Sequence, residues 1–158
     1  LAGLPDISEN LVLGAHGIGV GVQTTLESLD PNYFDMIVLP GGSEGVKSMK
    51  KSKQLEVFLR HFVDNKKYVA AICLAPLVLE HFKLFHGARL TSYPSAANSL
   101  RTNYRYSEDR VVTDGMLITS RGPGTAMEFA FKLVELILGD SNARNVAIKM
   151  LSNVYTKT

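Results

Sequence analysis

Short apolar runs that stop abruptly at glycine or proline constrain this chain more than any other feature. Phe34 to Leu39 ends at Pro40-Gly41-Gly42, and Tyr68 to Ile72 leads straight into Cys73-Leu74-Ala75-Pro76. A third run, Ile18 to Val22, lies in a glycine-rich stretch. Compact β-branched runs of this length, closed by turn residues, suit strands buried on both faces of a parallel sheet. Between them, Lys53 to Asn65 sets Leu55, Phe58, Leu59 and Phe62 at helical spacing, with charged residues on the other face. Ala75 to Phe82 reads as a shorter helix that tolerates Pro76 in its first turn.

The second half continues the alternation. Arg89 to Tyr93 reads as a strand, and Arg110 to Thr113 with Met116 to Ser120 as a hairpin turning at Asp114-Gly115. After the loop Ser120 to Gly124, Thr125-Ala126-Met127-Glu128 has capping-box spacing. Phe129 to Leu138 then reads as an amphipathic helix stopped by Gly139, and Ser141 to Leu151 as a last short helix. Strand and helix signals in this order predict a three-layer α/β domain. With 158 residues, of which 46% are hydrophobic, one domain over 1–158 with a continuous core is expected. Leu1-Ala2-Gly3-Leu4 resembles the end of a strand already under way, so a further strand–helix unit is expected ahead of it.

Composition removes several function classes. Seventeen Lys+Arg against fifteen Asp+Glu leave a net charge of only +2, which gives no ground for inferring a polyanionic partner, and no nucleic acid partner is expected. Lys47, Lys50, Lys51, Lys53, Lys66 and Lys67 read as a solvated surface. The longest apolar runs fall short of the roughly 18 residues of a membrane span, so no membrane association is expected. Cys73 is the only cysteine; no internal disulfide can form, which fits the reducing cytoplasm. No His or Cys spacing matches a metal site, and the Gly-Pro-Gly loop lacks the lysine of a phosphate loop.

Cys73 lies where a strand gives way to a helix, with Ala71 and Ala75 two positions away on either side. This is the spacing of a nucleophile elbow, in which a sharp turn exposes the side chain and small neighbours avoid clashes. The unpaired N–H groups of the helix start would favour negative charge near the sulfur. The Leu74 amide, and a second amide from Gly41-Gly42 after the neighbouring strand, could form an oxyanion hole. Spacing alone leaves a second reading open, in which Cys73 is a small buried hydrophobe.

Three segments together carry a family resemblance. Val38-Leu39-Pro40-Gly41-Gly42, Ala70-Ala71-Ile72-Cys73-Leu74-Ala75-Pro76 and Thr119-Ser120-Arg121-Gly122-Pro123-Gly124-Thr125 closely resemble the ThiJ/PfpI superfamily, in its DJ-one deglycase branch. Tyr106-Ser107-Glu108-Asp109-Arg110-Val111 fits the same branch. The resemblance implies a flavodoxin-like three-layer α/β/α sandwich with a mostly parallel sheet and a small hairpin, working as a homodimer. It implies Cys73 as the reactive cysteine, the Gly42 and Leu74 amides (with Gly41 beside them) as the oxyanion site, and Gly122-Pro123 as pocket wall. Tyr93-Pro94 stands where some members place a histidine before a proline. His16 aligns with an arginine that lines the site in this branch.

The implied activity is a cofactor-free glyoxalase, of the glyoxalase III type, or a deglycase, with a role in the oxidative-stress response. Its substrate would be a small α-oxoaldehyde or an early glycation adduct. The resemblance also admits a non-catalytic redox sensor or chaperone whose cysteine oxidises to sulfinate, and thiamine biosynthesis at hydroxyethylthiazole phosphate. A cysteine hydrolase or amidotransferase fits least, because Leu74 follows the cysteine where the peptidase-like branch has histidine. The family glutamate that hydrogen-bonds the cysteine belongs to the first strand–helix unit and has no counterpart between Leu1 and Thr158. His61 and His81 read as helix-surface residues and His86 as a loop residue. Glu128 reads as the capping partner of Thr125, and Ser120 and Thr125 as structural.

Overall fold

The computed structural model describes residues 1–4 and 11–154. Strands β1 (Ala2–Gly3), β2 (Leu11–Leu13), β3 (Gly19–Gly21), β4 (Thr24–Thr25) and β5 (Met36–Leu39) precede helices α1 (Ser43–Lys51) and α2 (Lys53–Asp64). Then follow β6 (Tyr68–Ile72), α3 (Pro76–His81), β7 (Arg89–Leu90), α4 (Ala97–Leu100) and β8 (Arg105–Tyr106). β9 (Val111–Asp114), β10 (Leu117–Ser120), α5 (Ala126–Leu138) and α6 (Asp140–Lys149) complete the described elements. None of these helices is long and apolar enough to cross a membrane.

Four strands form the main sheet in the order β5-β6-β10-β9. β5 and β10 both run parallel to β6, with Leu39 opposite Ala71 and Ser120 opposite Ile72. β9 closes the sheet antiparallel to β10 through a turn at Gly115, whose φ is +58°. The hairpin over 110–120 therefore stands as expected, and its second strand is the fully buried one in mid-sheet.

Alternation along the strands separates two apolar layers. Val69, Ala71 and Leu117 join Leu55, Phe58, Leu59 and Phe62 of α2 and Val78 and Leu79 of α3 on one face. Ala70 and Ile118 meet Phe129, Leu133 and Leu136 of α5 on the other. The chain is an α/β sandwich of flavodoxin-like type.

Helices α2 and α3 stop without the glycine that usually marks such an end. In each, a lysine takes up the left-handed conformation, Lys66 at φ +53° and Lys83 at φ +57°. The next amide bonds back into the last turn, Lys67 N to Phe62 O at 2.8 Å and Leu84 N to Leu79 O at 2.9 Å. This is the Schellman arrangement. Beyond α3, the buried Tyr104 hydroxyl donates to the Leu84 carbonyl at 2.6 Å. Burial, and then the Glu80 carboxylate, push ionisation of that phenol above its ordinary range.

Three expectations change. Ile18 to Val22 is not a buried parallel strand; β3 pairs antiparallel with β2 in an exposed hairpin, and Ile18 is 69% exposed. Gly19 and Gly21 bring no side chains with which to bury two faces. Arg89 to Tyr93 holds a strand only at Arg89–Leu90, before a turn of 3-10 helix at Pro94–Ala96. Thr125 and Glu128 do not form a capping box, because Thr125 makes no side-chain cap to α5. Glu128 instead accepts two bonds from Arg110 Nε, at 2.9 and 2.7 Å, and holds that guanidinium above its ordinary range.

Candidate active site

Because β5, β6 and β10 run parallel and in register, their following loops emerge at one edge of the sheet. That edge carries Pro40-Gly41-Gly42, Cys73-Leu74 and Arg121-Gly122-Pro123, and carboxyl ends of parallel strands are where open α/β sheets place their sites. Cys73 is half-buried and has a φ of +64°, a left-handed backbone that costs a non-glycine residue roughly 1–2 kcal/mol. Two hydrogen bonds clamp it there: its N–H donates to Ser120 O at 2.9 Å, and its carbonyl accepts from Tyr93 N at 2.8 Å. One bond leads to β10 and the other to the loop after β7, so two elements distant in sequence hold the elbow.

Small neighbours make room for it. Ala71 and Ala75 are fully buried, and Gly41 lies so close that a Cβ there would stand 2.6 Å from Cys73 Cβ and 3.1 Å from Cys73 Sγ. Gly42 caps α1 at φ +95°. Among the described residues, neither the Gly42 nor the Leu74 amide donates a hydrogen bond within the chain. Leu74 itself packs partly buried against the larger core layer. Gly122 faces the Tyr93 ring, with its absent Cβ 3.3 Å from Tyr93 Cδ2. Pro94 and Pro123 are exposed, and each opens a turn of 3-10 helix that ends on a buried residue, Ala96 and Thr125.

The structure thus gathers Gly41, Cys73, Tyr93 and Gly122 in one place. His16 sits on the exposed turn between β2 and β3, and no hydrogen bond or ion pair ties it to the elbow among the described residues. His61 is half-buried, not a surface residue, while His86 pairs with Glu80 at 3.3 Å.

The wall beyond Gly122 depends on buried hydroxyls. Ser120 Oγ donates to Arg110 O at 2.8 Å and lies 2.6 Å from Thr125 Oγ1, which accepts from the buried Gly122 N–H at 3.0 Å. Ser120 therefore grips the loop through its side chain and Cys73 through its carbonyl. Its supporting role was legible in the sequence; its link to Cys73 was not, because the bond crosses between β10 and β6. Thr125→Val keeps the shape and strands the Gly122 donor, which predicts a loss of about 2 kcal/mol. Urea unfolding reads this as a lower midpoint at constant slope, with Thr125→Ser near the parent; a valine variant as stable as the parent would refute it.

The family model described as DJ-1/PfpI matches residues 5–136. The chain belongs to the DJ-1/PfpI family. It is 44% identical over 129 residues to protein dj-1beta of Drosophila melanogaster, covering 81% of this chain and 69% of that one. It is 31% identical over 133 residues to a deglycase of Pyrococcus abyssi, covering 84% of this chain and 80% of that one. The crystal structure of Drosophila melanogaster DJ-1beta matches at a TM-score of 0.91 and 40% identity, covering 96% of this chain and 81% of that chain. The two DJ-1 homologues of Arabidopsis thaliana are longer, and this chain spans only 30% and 35% of their length.

Proposed function

We propose that this chain is a cofactor-free glyoxalase or deglycase of the DJ-1/PfpI family, with Cys73 as its nucleophile. The observation that carries the reading is the left-handed Cys73 beside the Gly42 and Leu74 amides, which donate no hydrogen bond among the described residues. The Pyrococcus abyssi relative named a deglycase supports it. In the reaction, the Cys73 sulfur adds to the aldehyde carbon of an α-oxoaldehyde, and the carbonyl π pair moves onto oxygen. The Gly42 and Leu74 amides receive that oxyanion, and protonation gives a hemithioacetal. A base then moves the proton from C1 to C2, and water displaces the thiol to release a 2-hydroxy acid. The family resemblance implies a glutamate as the base, a residue with no counterpart matched between Leu1 and Thr158. Tyr93 and Gly122 border the space in which the substrate would lie.

Incubating protein that carries this glutamate with methylglyoxal and following the products by NMR tests this. Lactate should appear with no added cofactor, and prior alkylation of Cys73 with iodoacetamide should stop it. No lactate, or lactate formed equally by the alkylated chain, would overturn the reading. A Cys–His hydrolase lacks support because no histidine bonds Cys73 among the described residues.

A further inference from the structure

Cationic side chains are distributed unevenly over this molecule. Among the described residues every arginine lies within ion-pair distance of a carboxylate. Lys47 and Lys132 are likewise paired, and Lys67 donates to the carbonyls of Pro31 and Asn32. Among the described residues, the lysine ammonium groups with no such partner are those of Lys50, Lys51, Lys53, Lys66, Lys83 and Lys149. Four of these, Lys50, Lys51, Lys53 and Lys83, line a single open concavity of about 470 Å³. It lies where α1 gives way to α2, against the C-terminal end of α3, at the far end of that helix from Cys73. The sequence holds Lys50, Lys51 and Lys53 together, but only the fold brings Lys83 and His81 to them.

The surroundings do not neutralise this charge. Glu56 lines the same concavity, but it is matched by Arg60, which binds it at 2.7 Å. The C-terminal ends of α1 and α3 together contribute at most about one negative charge, and the N-terminal end of α2 returns about half of it. Four ammonium groups outweigh them.

The chemistry of the lining selects the ligand. Arg60 has its fork occupied: Nε and Nη2 reach Glu56, and Nη2 also reaches the Phe82 carbonyl at 3.1 Å. That leaves no free guanidinium face for bidentate capture of a carboxylate, whereas lysine ammonium groups act as point charges suited to phosphate oxygens. Phe82 is the one aromatic wall besides His81, and it is buried, packed edge-to-face with that histidine. The lining offers no stacking platform of the kind that single-stranded nucleic acid uses. We propose that this concavity binds a small anion carrying a chain of phosphates, in the class of inorganic diphosphate and triphosphate.

Calorimetric titration of the full chain with inorganic tripolyphosphate at physiological ionic strength tests it. A saturable one-site isotherm is expected, weakened about tenfold or more in Lys53→Gln/Lys83→Gln and unchanged in Lys66→Gln/Lys149→Gln. The latter pair removes the same charge from unpaired lysines outside the concavity. Far-UV circular dichroism checks that both variants fold. No saturation at millimolar tripolyphosphate, or equal weakening in both double variants, would overturn the proposal. Binding of a single-stranded oligonucleotide or of phosphatidylserine vesicles without binding of tripolyphosphate would overturn it too.

Discussion

Cys73→Gly and Cys73→Ala should both abolish turnover of methylglyoxal, and the glycine variant should be the more stable of the two. The loss of activity follows from the proposed mechanism: without a sulfur no hemithioacetal forms, and removing a covalent nucleophile lowers kcat by about a thousandfold or more. The stability order follows from the backbone. Cys73 has a φ of +64°, a region that costs any residue with a Cβ roughly 1–2 kcal/mol and glycine almost nothing. Glycine ordinarily loses to alanine by about 0.5–1 kcal/mol through the entropy of the unfolded chain. Strain relief is the larger quantity here, so the usual order inverts by about 1 kcal/mol. Thermal unfolding of the two variants measures it directly. If alanine is the more stable, the elbow is not strained in solution. If either variant still makes lactate at the parent rate, Cys73 is not the nucleophile.

The elbow was legible in the sequence for a specific reason. Apolar runs closed by Gly or Pro report on buried parallel strands, and the residues just after such runs must lie at the carboxyl edge of the sheet. Gly41-Gly42 and Cys73 could therefore be placed together from the sequence alone, whereas Gly122 joined them only through the family resemblance. The features that escaped depend on partners far away along the chain. The clamp on Cys73 comes from Ser120 O and Tyr93 N, neither of which any local pattern marks. Glu128 had a plausible local partner in Thr125, but a guanidinium 18 residues away outcompeted it. Charge-assisted bonds are roughly twice as strong as neutral ones, and the Thr125 hydroxyl was already engaged by Gly122 and Ser120. The run at Ile18 misled because glycine is compatible with a strand without being able to anchor one in a core. The same limit applies to the basic concavity. Its lysines look solvated in sequence, and their concentration becomes visible only once the other described arginines and lysines, all but Lys66 and Lys149, are matched to a partner.

Gly41→Ala should be the most destabilising single-methyl change at this site, at about 2–3 kcal/mol, the upper part of the range for an overpacked position. The added Cβ would lie 2.6 Å from Cys73 Cβ and 3.1 Å from Ile72 O, where carbon atoms in contact prefer about 3.5–4.0 Å. Neither neighbour can rotate away. Cys73 Cβ is fixed directly to a backbone clamped by Ser120 and Tyr93, and Ile72 ends a strand paired on both sides. The ends of β5 and β6 would have to part by about 1 Å. Gly122→Ala provides the contrast: its new Cβ meets only Tyr93 Cδ2 at 3.3 Å, on a ring 45% exposed that can swing outward, so its cost should stay below about 1 kcal/mol. For a chain of this size each kcal/mol lowers Tm by about 2–4 °C, so Gly41→Ala should melt some 4–12 °C early. Cys73→Gly removes the Cβ responsible for the closest clash. The double variant Gly41→Ala/Cys73→Gly should therefore recover much of the loss, with a coupling of about 1–2 kcal/mol between the two positions. If Gly41→Ala melts with the parent, the close approach of the two loops does not exist in solution. If the double variant shows no coupling, the strain lies against Ile72 and not against Cys73.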